Sequence, residues 1–189
     1  MNLKIYKQQL LEELYEPYKN SNKLLVQGGS NRIIFGEGSS NANLMFIGEA
    51  PGAKEDELQR PFVGRSGKLL DKILQSANVR RKDVFITNIV KVRPPKNRKP
   101  YPDELHQGRN LLFAQIQIIQ PKVICTLGAS ALEGLLDTQI SISQVRGKYI
   151  KMKDFLLLPT FHPAYILRDP KRLPTLTEDI IKAIEESTL

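Results

Sequence analysis

Cysteine is nearly absent: Cys125 stands alone in 189 residues. A single thiol closes no internal disulfide and holds no cysteine-ligated cluster, which points to a reducing, intracellular setting. No apolar run is long enough to span a bilayer, and Met1-Asn2-Leu3-Lys4 opens no signal peptide. The expectation is a cytoplasmic protein, nucleoid-associated if bacterial, with no membrane partner. Histidine is scarce as well, with only His106 and His162. Neither a Gly-Lys-Ser/Thr phosphate loop nor a dinucleotide fingerprint occurs. No internal repeat, low-complexity tract or linker divides the chain, so one domain over residues 1–189 is expected.

The composition that remains is that of a globular protein, 41% hydrophobic and 25% charged, enough to build a real core. The net charge of +8 favours a polyanionic partner. Leu10, Leu11, Leu14 and Tyr18 recur at helical spacing, which predicts an N-terminal amphipathic helix from Leu3 to Tyr18. Ser21 to Ser30 reads as a loop. Arg32–Phe35, Leu44–Ile47, Val84–Thr87, Lys122–Leu127 and Phe155–Leu158 read as strands. Between them, helices are predicted at Gly67–Ala77, Pro102–Ile119, up to Leu136 and at Thr175–Glu186, with a hairpin-like excursion over Ile140–Met152. Strands alternating with helices give a three-layer α/β/α sandwich on a central, mostly parallel four-stranded sheet.

Three loops then leave strand ends on one side of the sheet, where ligands of such folds bind. The first is Gly48-Glu49-Ala50-Pro51-Gly52 with Glu55-Asp56, running on to Phe62-Val63-Gly64-Arg65-Ser66-Gly67. The second runs from Asn88 through Lys91–Pro102, with five basic residues and four prolines, and reads as an exposed extended segment. The third is His162-Pro163-Ala164-Tyr165-Ile166-Leu167-Arg168-Asp169-Pro170.

These three blocks, in this order and spacing, resemble the motifs of family-four uracil-DNA glycosylases from about Ile33 to Asp179. The resemblance implies an enzyme that flips uracil out of DNA and hydrolyses its N-glycosidic bond, leaving an abasic site. It needs no metal or diffusible cofactor in that chemistry, and the chain is expected to act as a monomer on uracil-containing DNA. One departure stands out. The family carries a four-iron–four-sulfur cluster on four cysteines, one of them where this chain has Val92 and another near Gly108, with a pair before the first strand. Cys125 matches none of them, so a member without the cluster is expected, with Tyr101, Tyr15 and Tyr18 filling the vacated volume.

Roles carried over from the family run as follows. Phe62 stacks on the base, and Asn88 reads the uracil edge by donating to O4 and accepting from N3–H. His162 donates to O2 as negative charge collects there. Ala50 stands where the best-known uracil-excising enzymes carry an aspartate. Glu49 shapes the pocket and holds the water, Glu55 is the candidate for the remaining carboxylate role, and Gly52 offers backbone N–H groups. Arg65, Ser66, Lys91, Arg93, Arg98 and Arg168 would grip DNA, and Ile166 or Leu167 would fill the gap left in the stack. Two alternatives share these motifs: a relative that traps the sugar covalently on a second histidine, and a uracil- or lesion-binding module without turnover.

Overall fold

The computed structural model describes residues 3–19 and 26–188; the expected loop at Ser21–Ser30 therefore lies partly outside the described residues. Helix α1 (Leu3–Lys19) is followed by the edge strand β1 (Glu37–Gly38) and the central strand β2 (Leu44–Gly48). Two helices, α2 (Ala53–Leu58) and α3 (Arg65–Ser76), lead to β3 (Phe85–Asn88). Helix α4 (Pro102–Ile119) crosses to β4 (Val123–Leu127). The chain continues through α5 (Ala129–Leu136), α6 (Ile142–Val145) and β5 (Ile150–Lys151) to β6 (Leu156–Thr160). It closes with α7 (Pro163–Ile166) and α8 (Leu173–Thr188).

Among the described residues the sheet has six strands in the order β1-β3-β2-β4-β6-β5. The expected four are its parallel centre, β3-β2-β4-β6, and the two added strands are antiparallel edges of two residues each. The expected strand at Arg32–Phe35 does not form. Ile33 makes one isolated antiparallel bridge to Val92, and the edge pairing falls to Glu37 and Gly38 instead. The segment before Gly36 is instead held by side chains: Thr87 and Gln115 both donate to the Phe35 carbonyl.

Alternation along the parallel strands divides the core into two faces, as the pleat requires. Met45, Ile47, Phe85, Ile124 and Leu157 pack under the side bearing α1, α4 and α5. Leu44, Phe46, Ile86, Cys125 and Leu158 pack under α3 and α8. Both faces are covered, which is why the parallel strands read as continuous apolar runs. The chain leaves β2 for β3 on one side and later returns to β4 on the other. The strand order therefore reverses beside β2, and the crevice outside Gly48 is the topological switch point.

Candidate active site

Four strand ends meet at that crevice. Gly48 ends β2, and its register partner Asn88 ends β3. Gly128 follows β4, and its N–H donates to the Thr160 carbonyl of β6, two residues before His162. Glycine is required at two of these ends. A Cβ on Gly48 would run into the Phe62 ring and Asn88 Oδ1, and Gly128, at φ 94°, faces His162 Cβ closely. Gly48 thus leaves the gap in which the Asn88 amide and the Phe62 ring face each other. The Phe62 ring lies 5.7 Å from the His162 ring. Asn88 is only 2% exposed, yet among the described residues its Oδ1 accepts no hydrogen bond. Buried amides are nearly always satisfied, so this acceptor, packed against Gly48 beside the Phe62 ring, is an exception.

His162 is held as a donor. The Ala164 N–H donates to its Nδ1 at 3.0 Å, so the neutral ring carries its proton on Nε2. Burial, and secondarily the Arg168 charge, push its pKa down to about 4 against the opposing pull of Glu55. At neutral pH it is therefore an uncharged N–H donor.

The two glutamates separate in role. Glu55 Oε1 accepts from the N–H groups of Val63 at 2.9 Å and Gly64 at 2.6 Å, and its other oxygen lies over Gly52. It closes the turn that follows Phe62, so the geometry places it as a clamp. Glu49 is half-buried at the end of β2, its carboxylate making no hydrogen bond or ion pair among the described residues. The Ala50 methyl packs on the core and supplies no functional group.

The DNA-contact expectations divide as sharply. Lys91 is 1% exposed, donating to Thr87 Oγ1 and Gln115 Oε1 at 2.6 Å each, so it cannot reach a phosphate. Burial depresses its pKa well below the usual lysine range. Arg98 donates both arms of its fork to Glu104 and lies 3.8 Å over the Tyr101 ring. Ile166 is 2% exposed in the core beside α8, which removes it as a wedge, whereas Leu167 next to it is 36% exposed. Arg65 and Arg168 are exposed, Ser66 and Arg93 partly so, and Arg93 donates to Asn97 Oδ1 at the loop tip.

Sequence reasoning missed Arg81. It donates to the carbonyls of Pro61 and Phe62 and pairs with Glu37 and Asp71, so it backs the turn that carries the Phe62 ring. Backbone acceptors leave no mark in a sequence, and nothing there points to it. The second histidine, His106, lies on α4 in a groove lined by Leu105, Glu133, Gly134 and Gln139, apart from the pocket residues. Two wide surface grooves, of about 430 Å³ beside α3 and about 660 Å³ along α8, contain none of Asn88, Phe62 and His162.

The residues present do not fit an iron–sulfur cluster. Val92 is packed in the core, a Cβ on Gly108 would strike the Ile89 carbonyl, and the Cys125 thiol is sealed in β4 with its pKa raised by burial. Of the tyrosines expected to fill the space, Tyr15 stacks on Phe35 at 4.1 Å and Tyr18 packs at the core margin, while Tyr101 is 52% exposed.

An amide, an aromatic ring and a neutral imidazole donor stand together at the switch point. The chain belongs to the uracil-DNA glycosylase superfamily, whose family model matches residues 35–186. It is 40% identical over 186 residues to the type-4 uracil-DNA glycosylase of Thermotoga maritima, spanning 96% of this chain and 94% of that protein. It is also 40% identical to the type-4 enzyme of Sulfurisphaera tokodaii, over 93% of this chain and 84% of that protein. Identity to the Pyrobaculum aerophilum type-4 enzyme is 39%, over 85% of this chain and 86% of that protein.

Proposed function

We propose that this protein excises uracil from DNA by hydrolysing the N-glycosidic bond. The observation that carries the reading is the Asn88 amide, buried with an Oδ1 unpartnered among the described residues and packed beside the Phe62 ring over Gly48, with the His162 ring 5.7 Å from that of Phe62. An extruded uracil stacks on Phe62, gives its N3–H to Asn88 Oδ1 and takes the Asn88 N–H at O4. Cytosine, with its donor and acceptor reversed, leaves both groups unpaired; sites of this kind discriminate by up to ~10⁴. Nε2–H of His162 donates to O2. Because this imidazole is already neutral, no proton has to move before charge develops on the leaving base.

The free carboxylate of Glu49 orients the attacking water and favours the oxocarbenium sugar, while Glu55 shapes the pocket through Val63 and Gly64. Gly52, between the two, lines the approach with its backbone. Outside the pocket, Arg65 and Ser66 at the start of α3, Arg93 on the proline-rich loop and Arg168 after α7 hold the flanking phosphates, and Leu167 enters the gap in the stack. The protein works as a monomer, as one domain, inside the cell; among the described residues no helix is long and apolar enough to cross a membrane.

A single-turnover assay on a uracil-containing oligonucleotide, followed by alkali to cut abasic sites, tests this. Strand cleavage only after alkali is expected. Tight uracil-dependent binding with no cleavage would replace the enzyme by a binding module, and a protein–DNA adduct stable to denaturant would replace hydrolysis by covalent trapping.

A further inference from the structure

Phe62 adopts an unusual backbone for a bulky residue. Its φ is 51°, in the left-handed region, where a side chain with a Cβ is disfavoured. Such a residue keeps its conformation only when its surroundings over-determine it. Here the determinants can be named. On the side following Phe62, Glu55 accepts the N–H groups of Val63 and Gly64. On the other side, the Arg81 guanidinium donates to the carbonyls of Pro61 and of Phe62 itself, the latter at 3.0 Å. Helix α3 closes against the same carbonyl at Gly67, where no Cβ fits.

Arg81 is in turn fixed. Its side chain is 19% exposed, and it pairs with Glu37 on the edge strand and with Asp71 of α3 at 2.8 Å. Arg60 holds the other oxygen of Glu37 at 2.7 Å, so the carboxylate cannot swing away. Burial works against the charge on Glu37, yet the hydrogen bonds from Arg60 and Arg81 bring its pKa below the ordinary value. A planar guanidinium offers several donors in a fixed fork, and here that fork bridges two carbonyls and two carboxylates.

We propose that Arg81 is a positioning residue for base recognition: it locks the left-handed turn at Phe62 from behind and so sets where the stacking ring stands against Gly48 and Asn88. The inference rests on the reading of the pocket as a uracil site. Arg81 touches neither base nor sugar, and it acts only through Phe62. Misplacing a stacking face by about an ångström is enough to cost roughly 10² in rate.

The test is a double-mutant cycle in single turnover on uracil-containing DNA, with wild type, Arg81→Ala, Arg81→Lys, Phe62→Ala and Phe62→Ala/Arg81→Ala. In parallel, each protein's affinity is measured for DNA carrying an abasic site, which has no base to stack. Arg81→Ala is expected to slow uracil excision roughly 10- to 100-fold, and Arg81→Lys, with its charge but no fork, to fall between it and wild type. The double variant should be no slower than Phe62→Ala alone, because the second change removes nothing further. Abasic-site affinity should stay within about twofold of wild type throughout, since a residue acting through Phe62 has nothing to change there. Additive losses in the cycle, or abasic-site binding falling in step with the rate, would show a merely structural role and overturn the inference. So would wild-type rates for the Arg81 variants while wild type cleaves uracil. A wild-type protein that leaves uracil intact would overturn both the pocket reading and this one. If Arg81→Ala does not fold, Arg81→Lys, alone and with Phe62→Ala, carries the same comparisons.

Discussion

The segment from Asn88 to Glu104 contains two regions that treat their polar groups in opposite ways. At its start, Asn88 is buried with an acceptor that nothing among the described residues satisfies. A few residues on, the basic run looks more ready for a partner and mostly is not. Lys91 serves Thr87 and Gln115, Arg98 serves Glu104, Lys99 pairs with Glu133 and Arg93 holds Asn97. Lys96 alone of the five makes no such contact among the described residues, and it sits at φ 53° beside Asn97 at φ 56°, at the tip of the turn. A residue's chemistry states what it can bind; whether its hydrogen bonds are already satisfied states whether it is waiting to.

The comparison breaks most decisively at His162. His162→Ala should slow single-turnover uracil excision by ~10²–10³ and leave the preference for uracil over cytosine intact, because the lost bond strengthens only as charge develops. Asn88→Asp should do the converse, eroding that preference, since a protonated carboxyl can match the cytosine edge. Rates on uracil- and cytosine-containing strands, side by side, separate the two. Wild-type excision by His162→Ala would mean that the crevice is not the site.

Next comes Lys91. Lys91→Ala removes a buried stem and strips Gln115 Oε1 and Thr87 of a donor, which should lower stability by about 2–4 kcal/mol in urea denaturation. The same variant should leave the salt dependence of DNA binding unchanged. A flattened salt slope with full stability would return Lys91 to the DNA surface.

What the sequence disclosed and what it concealed follow the same division. The parallel strands were legible because burial on both faces makes them continuous apolar runs, and Asn88 and His162 because both stand at the ends of such runs. The fate of Lys91 was hidden, for its acceptor Gln115 lies 24 residues away and a lysine in a proline-rich basic stretch looks solvated. Ile166 and Leu167 are adjacent, yet a single turn of helix sends one into the core and the other outward. The clamp role of Glu55 also escaped, since backbone N–H groups are its partners. So did the edge strands, which are too short to carry a pattern.

A smaller effect sharpens the contrast within the loop itself. Arg93→Ala should reduce the slope of log affinity against log salt by roughly 1 if Arg93 reaches a phosphate. Arg98→Ala should leave that slope as it is and instead loosen the loop around Glu104, whose carboxylate Arg98 holds below the ordinary range. Salt titrations of both variants against one oligonucleotide decide it, and equal slope changes would erase the distinction.

The smallest effect is a shift in pH dependence. Burial, the larger cause, and then the Arg168 charge hold the His162 pKa at about 4, below its ordinary 6.5. A histidine depressed by folding favours the native state in its neutral form. Its contribution is therefore whole above pH 6.5 and is lost as pH falls from there toward 4. The rate has the same sense, because protonation at Nδ1 would break the bond from the Ala164 N–H and release the ring from its donor pose. Removing the nearby positive charge makes protonation easier, so Arg168→Ala should move the acid limb of the single-turnover rate to higher pH while remaining below 6.5. Measured at saturating enzyme, the limb is insulated from any phosphate contact that Arg168 also makes. A direct NMR titration of His162 in the free protein should move in the same direction as the rate. An acid limb that stayed in place, or moved down, would mean that Arg168 does not act on the imidazole, and the low pKa would then rest on burial alone.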